Sequence, residues 1–130
     1  PAPSAPPQPS GSADLHNQRG RQLFDDGEVE QAIREFQSAV ELDPQNASYH
    51  CNLAIAYDEN DQDEQALSEY ERTLQLDPDD LTALLSLGYM HNENDELEKA
   101  QEYWGRILEI APNSAEAQEV RENLRHQEDL

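Results

Sequence analysis

The sequence predicts an all-α protein built as a stack of three helix-turn-helix repeats. Three similar segments recur at a spacing of 34 residues and end at Pro44, Pro78 and Pro112. Self-similarity at such a period marks supersecondary units that stack on their neighbours. Within each period, apolar residues recur three and four positions apart in two blocks, as in two amphipathic helices. The predicted repeats are residues 13–46, 47–80 and 81–114.

The N-terminal segment, residues 1–12, holds five of the eight prolines of the chain. Proline favours extended backbone and buries little surface, so we predict a flexible linker that tethers the repeats. The sequence begins with proline and not with methionine. Either a leader has been removed or the chain is a fragment of a longer protein.

Each repeat is predicted to contain two helices separated by a short polar turn. The pairs are 13–26 with 29–42, 47–60 with 63–76, and 81–94 with 97–110. Asp61 with Glu64, and Asp95 with Glu98, have the spacing of a capping box. We therefore expect these aspartates to cap the second helices of repeats 2 and 3.

The turns between repeats carry start signals for the next helix. After each proline turn, Asn46, Asp80 and either Asn113 or Ser114 can accept a hydrogen bond from an unpaired helix N–H.

The last stretch, 115–130, keeps an apolar face but is otherwise charged. It is predicted to be a helix that closes the stack, because a terminal unit needs a polar outer face.

Small and aromatic residues occupy equivalent places in the three repeats. They are Gly20, Ala32 and Phe36 in the first, Ala54, Ala66 and Tyr70 in the second, and Gly88, Ala100 and Trp104 in the third. This pattern resembles the tetratricopeptide repeat (TPR) family. The resemblance implies a right-handed superhelical solenoid of three repeats plus a C-terminal capping helix. His16, His50 and His91 depart from it, since the family prefers large apolar or aromatic residues there.

The charge balance narrows the classes of partner. The chain has 29 acidic and 8 basic residues, for a net charge of -21. Nucleic acid and anionic membranes are not expected partners, because both require a basic face. No apolar run is long enough to predict a membrane span. Because the chain has a single cysteine, Cys51, it cannot form an internal disulfide. The fold therefore does not require an oxidising compartment, and the sequence is compatible with either the cytoplasm or the periplasm.

No catalytic or metal-binding constellation stands out in the sequence. His50 and Cys51 are adjacent, so on a helix they project about 100° apart and cannot chelate one ion. Gly-rich phosphate loops and nucleophile motifs are absent from the sequence. We predict a protein that is not an enzyme and takes no metal or cofactor.

By resemblance to the family, the first helix of each repeat lines a concave groove that receives peptides. The groove residues implied by this register are Asn17, Arg21, Phe24, Asp25, Asn52, Ile55, Asp58, Glu59, Leu85, Tyr89, Asn92 and Glu93. Four of them form a predicted apolar floor: Phe24, Ile55, Leu85 and Tyr89. The carboxylates Asp25, Glu59 and Glu93 recur 34 residues apart at helix ends, where the helix dipole disfavours them. Because this unfavourable placement of a carboxylate is repeated three times, we interpret the carboxylates as part of a binding surface. Together with the apolar floor, they favour a partner that is basic and partly apolar.

Family members that hold the acidic tail of chaperones use a clamp of lysines, an arginine and asparagines. The matching positions here are Asn17, Arg21, Asn52, Thr82 and Ser86, of which only Asn52 agrees. We therefore do not expect chaperone-tail binding, because a groove this acidic would repel a Glu-rich tail. An alternative interpretation is an assembly or oligomerisation module of a larger complex. In that case the acidic surface serves only solvation, as in a salt-adapted protein.

Overall fold

A computed structural model describes residues 10–128, which form seven α-helices and no strand. The helices are α1 (Ser10–Asp25), α2 (Val29–Leu42), α3 (Ala47–Glu59), α4 (Asp63–Leu76), α5 (Leu81–Glu93), α6 (Leu97–Ile110) and α7 (Ala115–Glu128). The prediction of an all-α protein is confirmed. The predicted linker falls outside the described residues, except for residues 10–12, which belong to α1.

The described chain forms two compact units. The first ends at Leu76 and contains α1–α4, which are repeats 1 and 2; the second begins at Asp77 and contains α5–α7. The second helix of every repeat has the bounds that the hydrophobic period predicts. The first helices end one residue earlier than predicted, so that Asp25, Glu59 and Glu93 are their last residues.

The turn inside each repeat differs from the prediction. Gly27, Asp61 and Asp95 are equivalent residues with φ of 84°, 59° and 62°. In the second repeat, the N–H of Gln62 donates to the carbonyl of Tyr57 at 2.9 Å, the bond of a Schellman motif that ends the first helix. The prediction that the two aspartates cap the second helices is therefore wrong. They occupy the left-handed position after the first helices, where their short side chains are tolerated.

Replacing Asp95 by glycine is expected to stabilise the protein by about 1 kcal/mol, because glycine has no Cβ to strain a positive φ. The opposite change at the equivalent place, Gly27→Ala, is expected to cost about as much. Urea unfolding, followed by far-ultraviolet circular dichroism, measures both changes because it reports on the helices of both units. Equal unfolding midpoints for Asp95→Gly and the parent chain would show that the aspartate is not strained.

The turns between repeats agree with the prediction. The side chains of Asn46, Asp80 and Ser114 each accept a hydrogen bond from the backbone N–H three residues ahead, at 3.3, 2.9 and 3.0 Å. Ser114, and not Asn113, is thus the cap of α7. These bonds satisfy donors that the first turn of a helix leaves unpaired.

The predicted small residues allow the helices of a pair to approach closely. In the first unit, a Cβ added to Gly20 would lie 2.6 Å from the ring of Phe36. Phe36 also packs in a buried cluster with Leu53 of the next repeat, so that its ring lies between repeats 1 and 2. In the second unit, the indole of Trp104 covers Gly88 in the same way. The rings of Phe36 and Trp104 therefore pack directly against the backbone of α1 and α5, respectively.

The histidines that depart from the family pattern have polar partners. The Nδ1 atoms pair with carboxylate oxygens: His16 with Glu35 at 3.0 Å, His50 with Glu69 at 2.7 Å and His91 with Glu96 at 3.2 Å. His50 is buried, and its Nε2 lies 2.8 Å from the carbonyl oxygen of Pro44. These bonds allow polar rings to occupy packing positions without unpaired buried atoms.

Candidate functional site

The first unit contains a pocket of about 160 Å³ on the face formed by its first helices, α1 and α3. Its lining residues are Arg21, Phe24 and Asp25 from α1, Phe36 from α2, and Asn52 and Ile55 from α3. Five of these were predicted groove residues. The sixth, Phe36, is not among the predicted groove residues, and its place in the pocket depends on how closely α2 packs against α1.

Helix geometry brings these side chains together. Phe24 and Asp25 lie three and four residues after Arg21, and Ile55 lies three residues after Asn52. Side chains at these spacings share one face of a helix. The floor is apolar, because Phe24 and Ile55 are half-buried and Phe36 is only 2% exposed.

The rim of the pocket carries two opposite charges. Arg21 and Asp25 are both exposed, and their i, i+4 spacing would permit an ion pair. Among residues 10–128, however, neither side chain has an ion-pair partner within 4 Å. The guanidinium and the carboxylate are therefore available to a ligand.

Asn17 has a different place from the one predicted. It is 7% exposed, and its side-chain oxygen accepts a hydrogen bond from the Asn52 amide at 2.8 Å. Asn17 is absent from the lining of the pocket, whereas Asn52 is part of it. Asn17 thus positions Asn52 and does not itself face the pocket.

The other predicted residues of the first unit, Asp58 and Glu59, are exposed at the end of α3. They are outside the pocket lining. Glu59 occupies the place in its repeat that Asp25 occupies in the first. The pair adds negative charge to the same helix face without shaping the pocket.

In the second unit, α7 lies against α5 and engages two predicted groove residues. The amide of Asn123 donates to the Tyr89 hydroxyl at 2.7 Å, and the amide of Gln127 donates to Asn92 Oδ1 at 3.0 Å. Burial raises the pKa of the Tyr89 phenol, against the opposing effect of the Asn123 hydrogen bond. Tyr89 and Asn92 are therefore partnered within the chain, while Glu93 is exposed.

Leu85 lines a separate cleft of about 490 Å³ between α5 and α7. The remaining lining residues are Thr82, Ser86, Ala115, Glu116, Gln118, Glu119 and Glu122. Three glutamates on one helix thus face an apolar side chain. The resulting environment favours a cation with an apolar stem.

Comparison with known families decides the classification. A family model described as TPR repeat matches residues 20–61, and two described as tetratricopeptide repeat match residues 47–80 and 64–124. The chain belongs to the tetratricopeptide repeat family. Curated protein sequences yield no significant match.

Solved structures share the fold. The Arabidopsis OM64 TPR domain has a TM-score of 0.82 at 20% identity, over 91% of this chain and 98% of that one. The first TPR of Spaghetti (RPAP3), bound to the HSP90 peptide SRMEEVD, has a TM-score of 0.80 at 25% identity, over 91% and 94%. MamA has a TM-score of 0.73 at 26% identity, over 77% of this chain and 58% of that one. Family and fold are those of protein-interaction scaffolds, which are generally non-catalytic.

The glutamates of α7 are the functional candidates that sequence reasoning missed in this TPR chain. The sequence predicts only a closing helix for residues 115–130, yet Glu116, Glu119 and Glu122 form one wall of the cleft. The sequence does contain a signal for this role, because continuing the 34-residue register places α7 where the first helix of a further repeat would lie.

In the described part of the chain, no group of three or more His, Cys, Asp or Glu residues could hold a metal ion. None of the described helices has the length and apolarity to cross a membrane.

Proposed function

We propose that this TPR chain binds a basic, partly apolar segment of a partner protein on the face of its first helices. The observation that supports this most is the pocket of the first unit. There, side chains from α1, α2 and α3 make an apolar floor beside the carboxylate of Asp25, which has no ion-pair partner among residues 10–128. A ligand with both apolar and cationic groups satisfies both parts of this surface.

The charge of the chain supports a cationic partner. The net charge is -21, and the exposed residues Asp25 and Glu59 end the first helices of the first unit. A surface of one sign attracts the opposite charge and raises the association rate at low ionic strength. The attraction is screened when the Debye length falls to about 10 Å, near 0.1 M salt.

The same charge disfavours the ligand of the Spaghetti domain. The peptide SRMEEVD carries two glutamates and an aspartate. In the second unit of this chain, Thr82 and Ser86 stand where the clamp of the family has basic residues, and three glutamates line the same cleft. We therefore propose a ligand preference opposite in charge to that of the structural neighbour.

Fluorescence anisotropy with two matched peptides tests the proposal. One is SRMEEVD, and the other is SRMKKVK, in which lysine replaces each acidic residue. We expect only the lysine peptide to bind at low salt, and its affinity to fall as NaCl is raised. Neutralising the acidic ends of α1 and α3 with Asp25→Asn and Glu59→Gln should weaken binding roughly threefold to tenfold and flatten the salt dependence.

Glu71→Gln is the matched control, because Glu71 is an exposed residue of α4 and its loss changes the net charge equally per site. It should leave the affinity unchanged. Tighter binding of SRMEEVD than of SRMKKVK would refute the proposed preference. An equal loss of affinity from Glu71→Gln would show that only the net charge matters. Light scattering of the same samples shows whether self-association competes with peptide binding.

A further inference from the structure

The pocket of the first unit has a size that suits one ring. Its volume is about 160 Å³. An engineered protein cavity of about 150 Å³ lined by apolar side chains is large enough to bind benzene. We propose that the pocket holds an aromatic side chain of the partner and that a basic residue beside it in the partner's sequence faces Asp25. This inference rests on the proposed function and specifies the anchor residue.

The walls of the pocket favour an aromatic occupant. Phe36 is 2% exposed, and its ring lies against the backbone of Gly20, which holds it in place. Phe24 and Ile55 are half-buried beside it. Two phenylalanine rings in one lining allow edge-to-face or offset contacts that an aliphatic side chain does not make. A wall that is already ordered also reduces the entropy lost on binding.

The charged residues at the rim of the pocket specify the ligand further. Arg21 is exposed beside the pocket and lacks an ion-pair partner among residues 10–128. A guanidinium at the mouth of an aromatic pocket can lie over the bound ring in a cation–π contact. Asp25, four residues later on the same helix, attracts a lysine or arginine next to the ring. The rim therefore complements a short aromatic-plus-basic motif.

Charge complementarity extends beyond the pocket. In the second unit, Gln127 contacts Asn92, and the equivalent residues two repeats earlier are Glu59 and Phe24. From this register we infer that the Glu59 carboxylate lies near Phe24. An acidic partner would meet two carboxylates next to the pocket, whereas a basic one would be attracted by both.

Three labelled peptides that differ only at the anchor test the inference: acetyl-Ser-Lys-Lys-Phe-Lys-Ser-amide and its Leu and Ala versions. We expect the Phe peptide to bind at least about tenfold more tightly than the Ala peptide, and severalfold more tightly than the Leu peptide. Amide NMR shifts should concentrate at Phe24, Asn52 and Ile55.

Chain variants locate the effect. Ile55→Trp fills the pocket and should reduce the affinity for the Phe peptide to that of the Ala peptide. Phe24→Ala removes one wall and should weaken the Phe peptide more than the Ala peptide. Leu97→Trp adds the same indole at an exposed place on α6 and should change neither. Circular dichroism confirms that each variant is folded, so that a folding defect in one still leaves the other to decide.

The outcomes separate the inference from the proposed function. Equal binding of the Phe, Leu and Ala peptides, with a dependence on Asp25 and Glu59, overturns the aromatic anchor and leaves the basic-partner proposal standing. A preference for the Leu peptide assigns the pocket to an aliphatic anchor and overturns the inference. Failure of every lysine peptide to bind at low salt overturns both.

Discussion

Replacing Trp104 by alanine is expected to lower the free energy of unfolding by about 3–5 kcal/mol. The indole is fully buried and packs edge-to-face on Tyr89, with ring centroids 5.6 Å apart. Its N–H donates to the carbonyl of Leu85 at 3.4 Å. Truncation therefore removes these ring contacts and leaves a cavity beneath Leu85 and Tyr89 of α5. Tyr89 contacts α7, and Leu85 lines the cleft between α5 and α7. A loss of this size is a large part of the stability of a small domain.

Urea unfolding followed by far-ultraviolet circular dichroism measures this loss, since the variant lacks the only tryptophan of the chain. Trp104→Phe is the matched control, because it keeps a ring in the site and should lose clearly less stability than the alanine variant. An unchanged midpoint for Trp104→Ala would mean that the indole does not support the second unit.

Replacing Gly88 by alanine is expected to cost about 3 kcal/mol, at the upper end of ordinary overpacking. A Cβ at this position would overlap the indole of Trp104, which is fully buried and cannot move aside without displacing its neighbours. The sequence already predicts that Gly88→Leu overpacks the helix pair by about 1–3 kcal/mol. The overlap with the indole begins at the Cβ, so we expect a single methyl group to be enough.

Gly105→Ala is the matched control within α6. A Cβ there meets no atom within 4 Å, so alanine should stabilise the helix by up to about 1 kcal/mol.

A double-mutant cycle with Trp104 tests the cause of the cost at Gly88 more directly. In a Trp104→Ala background the overlap is absent, so Gly88→Ala should change sign and become stabilising. A cost at Gly88 that persists without the indole would show that the glycine is needed for another reason.

The site could be predicted only in part. The repeat register predicts that Arg21, Phe24, Asp25, Asn52 and Ile55 share one face, because helix spacing decides which residues do so. The structure places these five side chains in the lining of one pocket. How deeply a side chain is buried on that face does not follow from the spacing. Asn17 shares that face but is buried under Asn52, and the contribution of Phe36 depends on how closely α2 approaches Gly20. Neither follows from spacing along one helix.

The sequence by itself determined the all-α class, the three repeats, the bounds of the second helices and the caps at Asn46 and Asp80, and it narrowed the cap of α7 to Asn113 or Ser114. These features depend on hydrogen bonds and apolar spacing among residues close together in the chain. Only the tertiary structure decided that Asp61 and Asp95 end a helix and do not begin one, because the same Asp-x-x-Glu spacing fits both. It also decided which side chains meet in the pocket and that α7 engages Tyr89 and Asn92. Those contacts join residues up to 35 positions apart, and their geometry is set by how closely whole helices pack.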